Sequence, residues 1–507
     1  MADYSNAEIS SHTKPALINY VAAIFAAIGS FLFGYDSGII GSVISEGYTH
    51  FWDYFNPSDS VKGAIVSVFA GGAFFGALVA GQTADRIGRK RTIQLGSLIA
   101  IIGCTLQTAA INNAMLIVGR LIAGLSIGVL SMIVPVYQAE LSPPHARGLL
   151  SGWTQLMISA GFFVANWVGF GCEKINGQAQ FRVPLGIQIV PAVFLLLGMF
   201  VLPYSPRWLA SVGRTDEARD TLIRLHGGRR NARLDVVEAE VQKMLAQIEW
   251  ERENVSTNYL DLIRNRPNLH RTLCGVLVQA MCQWTGVNVN NYYFSTIYGM
   301  LGFSGTQQLM ISGISGAWGM IVTWIFITFI VDRIGRRRPL IIGSVLLAVC
   351  MALQAGTNAP FSNAKSRGET YANKSMGIAG IWAVFMFSWC FSWSFGPVSW
   401  IYQSEIFPMH MRALGTSVST ASNWLNNVII AQITPFAFAK LGWRYFLVYA
   451  CTCVSNAIVS YFLFPETKNK TLEEIGLLFG DKDVYVHRPT LENESKSSVE
   501  HAEHISA

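Results

Sequence analysis

Residues 114–148 read AMLIVGRLIAGLSIGVLSMIVPVYQAELSPPHARG. From Ala114 to Ala139 this stretch holds one charge, Arg120, in a run longer than the roughly 20 apolar residues that cross a bilayer as a helix. It then breaks into a polar motif carrying Glu140, His145 and Arg147. A helix apolar on every side needs apolar surroundings. The stretch therefore reads as a membrane span, with its polar end at a membrane border.

The same reading applies along the chain. Apolar stretches at 17–44, 62–84, 92–112, 114–139, 149–171, 183–203, 271–298, 308–331, 340–357, 378–406, 413–437 and 443–464 predict twelve spans. Residues 204–270 differ in kind, with charged amphipathic runs that predict short helices in water. The expected organisation is a polar tail (1–15), a six-helix half (16–203), a linker (204–270), a second six-helix half (271–464) and a tail (465–507). The fold class is an all-α integral membrane protein.

Composition agrees. Of 507 residues, 51% are hydrophobic and 13% charged, about half the usual charged share. That is too little charge to coat soluble domains, and it excludes a disordered or fibrous chain. Most of the eight cysteines lie singly in apolar runs, where small-residue packing is expected. Cys172 alone is expected in an outer loop, and no structural disulfide is predicted. The first apolar run is too long for the core of a cleavable leader.

Lys and Arg give the orientation. The short loops Asp85–Arg91 and Asp332–Arg338 hold four each, whereas the loop between spans three and four holds none. Both termini are then cytoplasmic, and the net charge of +6 faces lipid headgroups rather than nucleic acid.

Polar motifs repeat in order. GQTADRIGRKR (Gly81–Arg91) is answered by FIVDRIGRRRP (Phe329–Pro339), and VYQAELSPPHARG (Val136–Gly148) by IYQSEIFPMHMRA (Ile401–Ala413). Tyr137, Gln138, Glu140, His145 and Arg147 match Tyr402, Gln403, Glu405, His410 and Arg412. A duplicated six-helix unit around a midplane site is the architecture of transporters. Asp85, Arg89, Glu140 and Arg147, with Asp332, Arg336, Glu405 and Arg412, then form a conformational latch. Their carboxylate–guanidinium pairs would tie the two halves together while the cytoplasmic side is closed. Solvated positive-inside charge is the competing account of the arginines.

The ordered set FGYDSG (Phe33–Gly38), DRIGRK (Asp85–Lys90), GRLIAG (Gly119–Gly124), PVYQAELSPPHARG (Pro135–Gly148), SPRWL (Ser205–Leu209), GVNVNNYY (Gly286–Tyr293), DRIGRRR (Asp332–Arg338), EIFPMHMR (Glu405–Arg412) and PETKNKTLEEI (Pro465–Ile475) resembles the sugar porters of the major facilitator superfamily. The likeness is strongest to fungal hexose-type transporters. Four departures stand out. Tyr204 replaces a Glu, Cys282 replaces the first Gln of a Gln-Gln pair, Gly316–Met320 lacks an Asn, and Ser392 replaces a Glu found in some members.

A sugar presents hydroxyls and apolar faces, so amides and aromatic planes suit it. The resemblance implies a sugar site of Gln155, Gln279, Gln283, Asn288, Trp400 and Asn423. Interhelical hydrogen bonding is the other role open to the amides. Gln279 and Gln283 share a helix face. Asn288 lies roughly 140° around from Gln283 on an ideal helix, unless the helix breaks near Gly286.

Away from the span ends two charges remain, Asp36 and Arg120. Rise per residue puts them ~12 Å and ~9 Å below the outer border, so they are expected to pair. Only the carboxylate can shed its charge. Asp36 is thus the candidate proton carrier and Arg120 its partner, with a permanent ion pair as the alternative. In the family this Asp accompanies proton coupling.

The expectation is a plasma-membrane, proton-coupled monosaccharide symporter, with hexose favoured, acting as a monomer without cofactor. A passive sugar uniporter and a transporter-like sensor are the alternatives. Asn373, in Asn373-Lys374-Ser375, is a candidate glycosylation site in an outer loop. No phosphate loop, nucleophile elbow or metal cluster is legible, so neither enzyme chemistry nor a metal is expected.

Overall fold

A computed structural model describes residues 17–141, 147–226, 234–254, 259–367, 373–408, 411–468, 470 and 472–480. The described residues are helical and include no strand. The first half opens with α1 (Leu17–Ala26) and α2 (Ile28–Val43), one span broken at Ala27. The short α3 (Thr49–Phe55) follows, then α4 (Asp59–Ile87), α5 (Arg89–Thr108), α6 (Asn113–Leu141) and α7 (Arg147–Cys172). The sixth span is split into α8 (Ala179–Ile187) and α9 (Ile189–Val201). The linker forms α10 (Pro206–Ser211), α11 (Thr215–Leu225), α12 (Leu234–Asn254) and α13 (Asp261–Arg264).

The second half opens with a span in three pieces, α14 (Arg266–Gln283), α15 (Val287–Tyr292) and α16 (Phe294–Met300). Next come α17 (Gly305–Ile325), which runs through a π turn into α18 (Val331–Ile334), and α19 (Arg337–Ser366). The tenth span is α20 (Lys374–Ser392) and α21 (Phe395–Ile406); α22 (Arg412–Leu441), α23 (Tyr445–Leu463) and α24 (Leu472–Phe479) are the last helices among the described residues. Nine stretches among the described residues have the length and apolar composition to cross a membrane. One of them, Arg412–Leu463, holds both α22 and α23. α5 and α14, poorer in apolar residues, occupy the places of expected spans three and seven. Phe194, Phe200, Trp382 and Phe462 are exposed, as suits helices whose outer faces meet lipid.

Small residues set the closest helix crossings. A Cβ on Gly72 or Gly76 would fall 2.2 or 2.1 Å from the carbonyl oxygens of Leu121 and Leu125. One on Gly124 or Gly128 would fall 2.0 or 2.1 Å from those of Phe69 and Ala73. α4 and α6 thus pack backbone to backbone through reciprocal small-xxx-small motifs. The two halves meet through α4 and α22, where Ser67 Oγ donates to Gln432 Oε1 at 2.7 Å and Ser417 Oγ to the Ala77 carbonyl at 2.7 Å. They also meet through α7 and α17, where Asn166 Nδ2 donates to the Ser312 carbonyl.

One expectation is corrected. Cys172 is not in a loop but is the buried last residue of α7. The outer segment after span one contains α3, where Phe51 and Phe55 pack on Phe181. Aromatic clustering, rather than helical periodicity, orders that short segment.

Candidate functional site

Gly286 has φ +89°, a left-handed conformation that ends α14 and lets α15 start in a new direction. A Cβ there would lie 2.4 Å from Met351 Cε. The break swings Asn288 back towards the end of α14. Asn288 Nδ2 donates to Gln283 Oε1 at 2.5 Å, and Gln283 Nε2 donates to Asn423 Oδ1 at 2.8 Å. Asn423 Nδ2 in turn donates to Gln279 Oε1 at 2.6 Å, and Gln279 Nε2 to the Ser399 carbonyl at 3.4 Å. Four side-chain amides from two spans form one directed chain that ends on a backbone carbonyl of a third.

That chain borders a cavity of about 120 Å³ between the halves. Gln155, Gln283, Asn288, Trp400 and Asn423 all line it. Gln279 does not: it is fully buried behind Asn423, and its expected place on the cavity wall is corrected to a supporting one. Trp400 meets Phe33 edge-on at 6.3 Å, giving an apolar wall. Cys282, Gly316, Gly319 and Ser392, which carry three of the departures from the family pattern, lie on the lining. Every lining residue is uncharged.

The lining also includes Asn166, Asn290 and Asn291, which the sequence reading left out. Val287, Asn290, Asn291, Phe294 and Tyr298 are lining residues at helical spacing, so one face of α15 and α16 fronts the cavity. That periodicity past Gly286 was the available signal.

Asp36 and Arg120 form a separate centre, absent from the lining. Both are essentially unexposed, and Arg120 Nη1 donates to Asp36 Oδ1 at 2.5 Å. Arg120 also donates to the carbonyls of Asp36 and Ile65, each at 3.2 Å. Its guanidinium lies 4.2 Å from the Phe69 ring centroid, and Phe69 meets Trp424 edge-on at 5.9 Å. Tyr292, on α15, accepts from Asn427 Nδ2 at 3.0 Å.

The repeated loops hold their charges within each half. Arg89 donates to Glu140 and to Asp85, each at 3.0 Å. Arg336 grips Glu405 with two nitrogens, at 2.8 and 3.2 Å. Of the eight residues expected in the latch, Asp85, Arg89, Glu140, Arg336 and Glu405 thus pair within their own halves. Neutral ties also meet the first half on this face, from Ser417 of the second half and from Tyr259 of the linker, whose hydroxyl donates to the Leu78 carbonyl at 2.8 Å. Arg412 is buried and donates to the Phe407 carbonyl. Arg147 begins α7 and Asp332 lies in α18, but their side chains lie outside what is described, as does His145.

The loops also differ. In the second half Glu466 accepts from the backbone N–H groups of Arg336 and Arg337, at 2.8 and 3.0 Å. In the first half the corresponding Tyr204 offers its ring to Lys90 at 4.7 Å and stacks on Trp208. Burial holds the Lys90 ammonium below its ordinary pKa. Asn373 is exposed and caps α20 by accepting from the Met376 N–H.

The chain matches the family model "Sugar (and other) transporter" over residues 22–479. It is 37% identical over 479 residues to the MFS-type transporter criB of Aspergillus cristatus, covering 94% of this chain and 96% of that protein. It is 35% identical to a high-affinity glucose transporter of Kluyveromyces lactis, covering 91% and 85%, and 30% identical to a quinate permease of Neurospora africana, covering 92% and 89%. Among solved structures, the proton:xylose symporter XylE bound to 6-bromo-6-deoxy-D-glucose superposes with a TM-score of 0.76 at 24% identity, covering 91% of this chain and 99% of that one. The chain is a multi-pass membrane transporter, not an enzyme, and it belongs to the sugar porter family of the major facilitator superfamily.

Proposed function

We propose that this protein is a proton-coupled symporter of a neutral monosaccharide, with a hexose as substrate. It works as a monomer in the plasma membrane with both termini cytoplasmic. The observation that carries this reading is a cavity lined by amides, hydroxyls and aromatic rings, without one charged side chain among the described residues. Amides both donate and accept, which matches sugar hydroxyls. The relatives include glucose transporters and quinate permeases. A carboxylate ligand would bring a charge into this cavity with no cation to meet it, which is costly, so the lining favours the sugar.

Asp36 and Arg120 supply the coupling. Protonation of Asp36 removes its charge, whereas Arg120 keeps its own. Arg120 rests on Phe69, Phe69 touches Trp424, and Trp424 neighbours Asn423 on α22. α15, which carries Asn288, packs against α2, which carries Asp36. A charge change at the pair therefore bears on α15 and α22, the two elements that hold the sugar amides. The halves alternate the cavity between the two sides of the membrane, with the ion pairs of each half keeping it rigid.

A second reading, facilitative uniport, is favoured by one feature. Asp36 and Arg120 are directly joined and fully buried, as a fixed structural pair would be. Alkalinisation of the medium on adding each of a panel of sugars to expressing cells separates the two. Symport gives sugar-specific alkalinisation and accumulation abolished by a protonophore. Uptake without either sinks the symport reading.

A further inference from the structure

We propose that Asn290 is a direct ligand of the transported molecule and sets its preference among sugar hydroxyls; this rests on reading the cavity as the sugar site. Asn290 lies on the cavity lining, is 7% exposed, and neither its Nδ2 nor its Oδ1 has a hydrogen-bond partner among the described residues. Its neighbour Asn288 differs, because that amide is already engaged with Gln283. Gln107, Gln188 and Gln354 are likewise without a partner at both ends among the described residues, but of these four amides only Asn290 lies on the cavity lining, where a ligand can reach it; each unmade buried bond is costly. A position on a packed six-residue helix would be better filled by a branched apolar residue of the same size. The amide is accounted for when a ligand completes it.

The chemistry of Asn290 narrows that ligand. An amide presents a donor and an acceptor side by side. Two adjacent hydroxyls satisfy both at once, one accepting from Nδ2 and the other donating to Oδ1. A carboxylate only accepts, so it would leave Oδ1 unpaired. Asn290 therefore selects a vicinal diol, the feature that a neutral sugar ring repeats and that differs between epimers in geometry. Asn291 and Phe294, on the same helical face, bring a further amide and an apolar ring to this side of the cavity.

The test uses the purified full-length protein and sugar-binding affinities. The panel is its best-bound hexose, each monodeoxy analogue of that hexose, and one epimer. At least one deoxy analogue should bind the native protein about tenfold or more weakly than the parent hexose, the size of one buried hydrogen bond. In Asn290→Val, which keeps a branched shape, the parent should weaken to the level of that analogue while the analogue itself barely changes. Asn290→Ser, which puts a single hydroxyl in place of the amide, should fall between, and it carries the same comparison if Asn290→Val does not fold. Wild-type affinities in both variants, or an equal loss for every sugar, would overturn the assignment while leaving the cavity as the sugar site. If the native protein binds no sugar, the reading of the cavity falls and this assignment with it.

Discussion

Gln279 meets the cavity only through Asn423, whose Nδ2 donates to Gln279 Oε1 at 2.6 Å. Asn423 also accepts from Gln283, so one residue of α22 positions both glutamines of α14. Loss of a buried partner costs about 1–3 kcal/mol, and each 1.4 kcal/mol is about tenfold in affinity. Gln283→Ala removes a lining group and breaks the amide chain, so the half-saturation sugar concentration should rise roughly tenfold to a hundredfold. Gln279→Leu should raise it less. Uptake kinetics normalised to surface expression check the order. Equal effects would mean that Gln279 touches the sugar directly.

The ion pairs Arg89–Glu140 and Arg336–Glu405 lie within halves. Arg336→Ala should therefore slow transport by loosening the second half, and Arg89→Ala should do the same to the first. The charge swap Arg89→Glu with Glu140→Arg should recover part of the loss, with a coupling of about 0.5–3 kcal/mol for contacting residues. Additive losses in the double variant would show that the two residues do not act as a pair.

Tyr137 donates to the Pro203 carbonyl and Tyr402 to the Pro465 carbonyl, which aligns Tyr204 with Glu466. A ring thus stands where the other half has a carboxylate cap. Tyr204→Phe keeps the ring and should leave thermal stability near wild type. Tyr204→Ala should lose about 1–2 kcal/mol of stacking and cation–π contact. Thermal unfolding of the purified variants measures this. A Tyr204→Phe protein as unstable as Tyr204→Ala would mean that the hydroxyl, not the ring, matters there.

The spans, their order and the Asp36–Arg120 pair were legible because apolar length and isolated charge are one-dimensional signals. Gly286 marked a break, and the break accounts for Asn288 reaching Gln283. The roles of Asn290 and Gln279 were hidden for a different reason. Which face of a helix meets a cavity depends on how α15 is turned after Gly286, and on whether Asn423 stands in front of Gln279. Matched Glu and Arg motifs in two halves say nothing of whether their pairs form within a half or between them. The folded loops place Arg89 beside Glu140 of its own half.

Asp36→Asn is nearly isosteric and cannot ionise, so it isolates the proton. Asn at this position can still accept a hydrogen bond from Arg120, yet it leaves the buried guanidinium without a compensating charge. Breaking a buried pair from one side costs about 3–5 kcal/mol, so the variant should unfold at lower temperature than wild type. The added change Arg120→Leu, which removes the stranded charge, should restore part of that stability. Transport should split. Accumulation above equilibrium and sugar-induced proton uptake should vanish, because the site can no longer alternate between charged and neutral. Exchange of labelled for unlabelled sugar needs no net proton movement and should persist, since the cavity amides are untouched. A variant that still concentrates sugar with the wild-type dependence on external pH would remove Asp36 from the coupling step and leave the pair as architecture. Loss of exchange together with accumulation, in protein that reaches the membrane folded, would instead show that the ion pair holds the sugar cavity in shape.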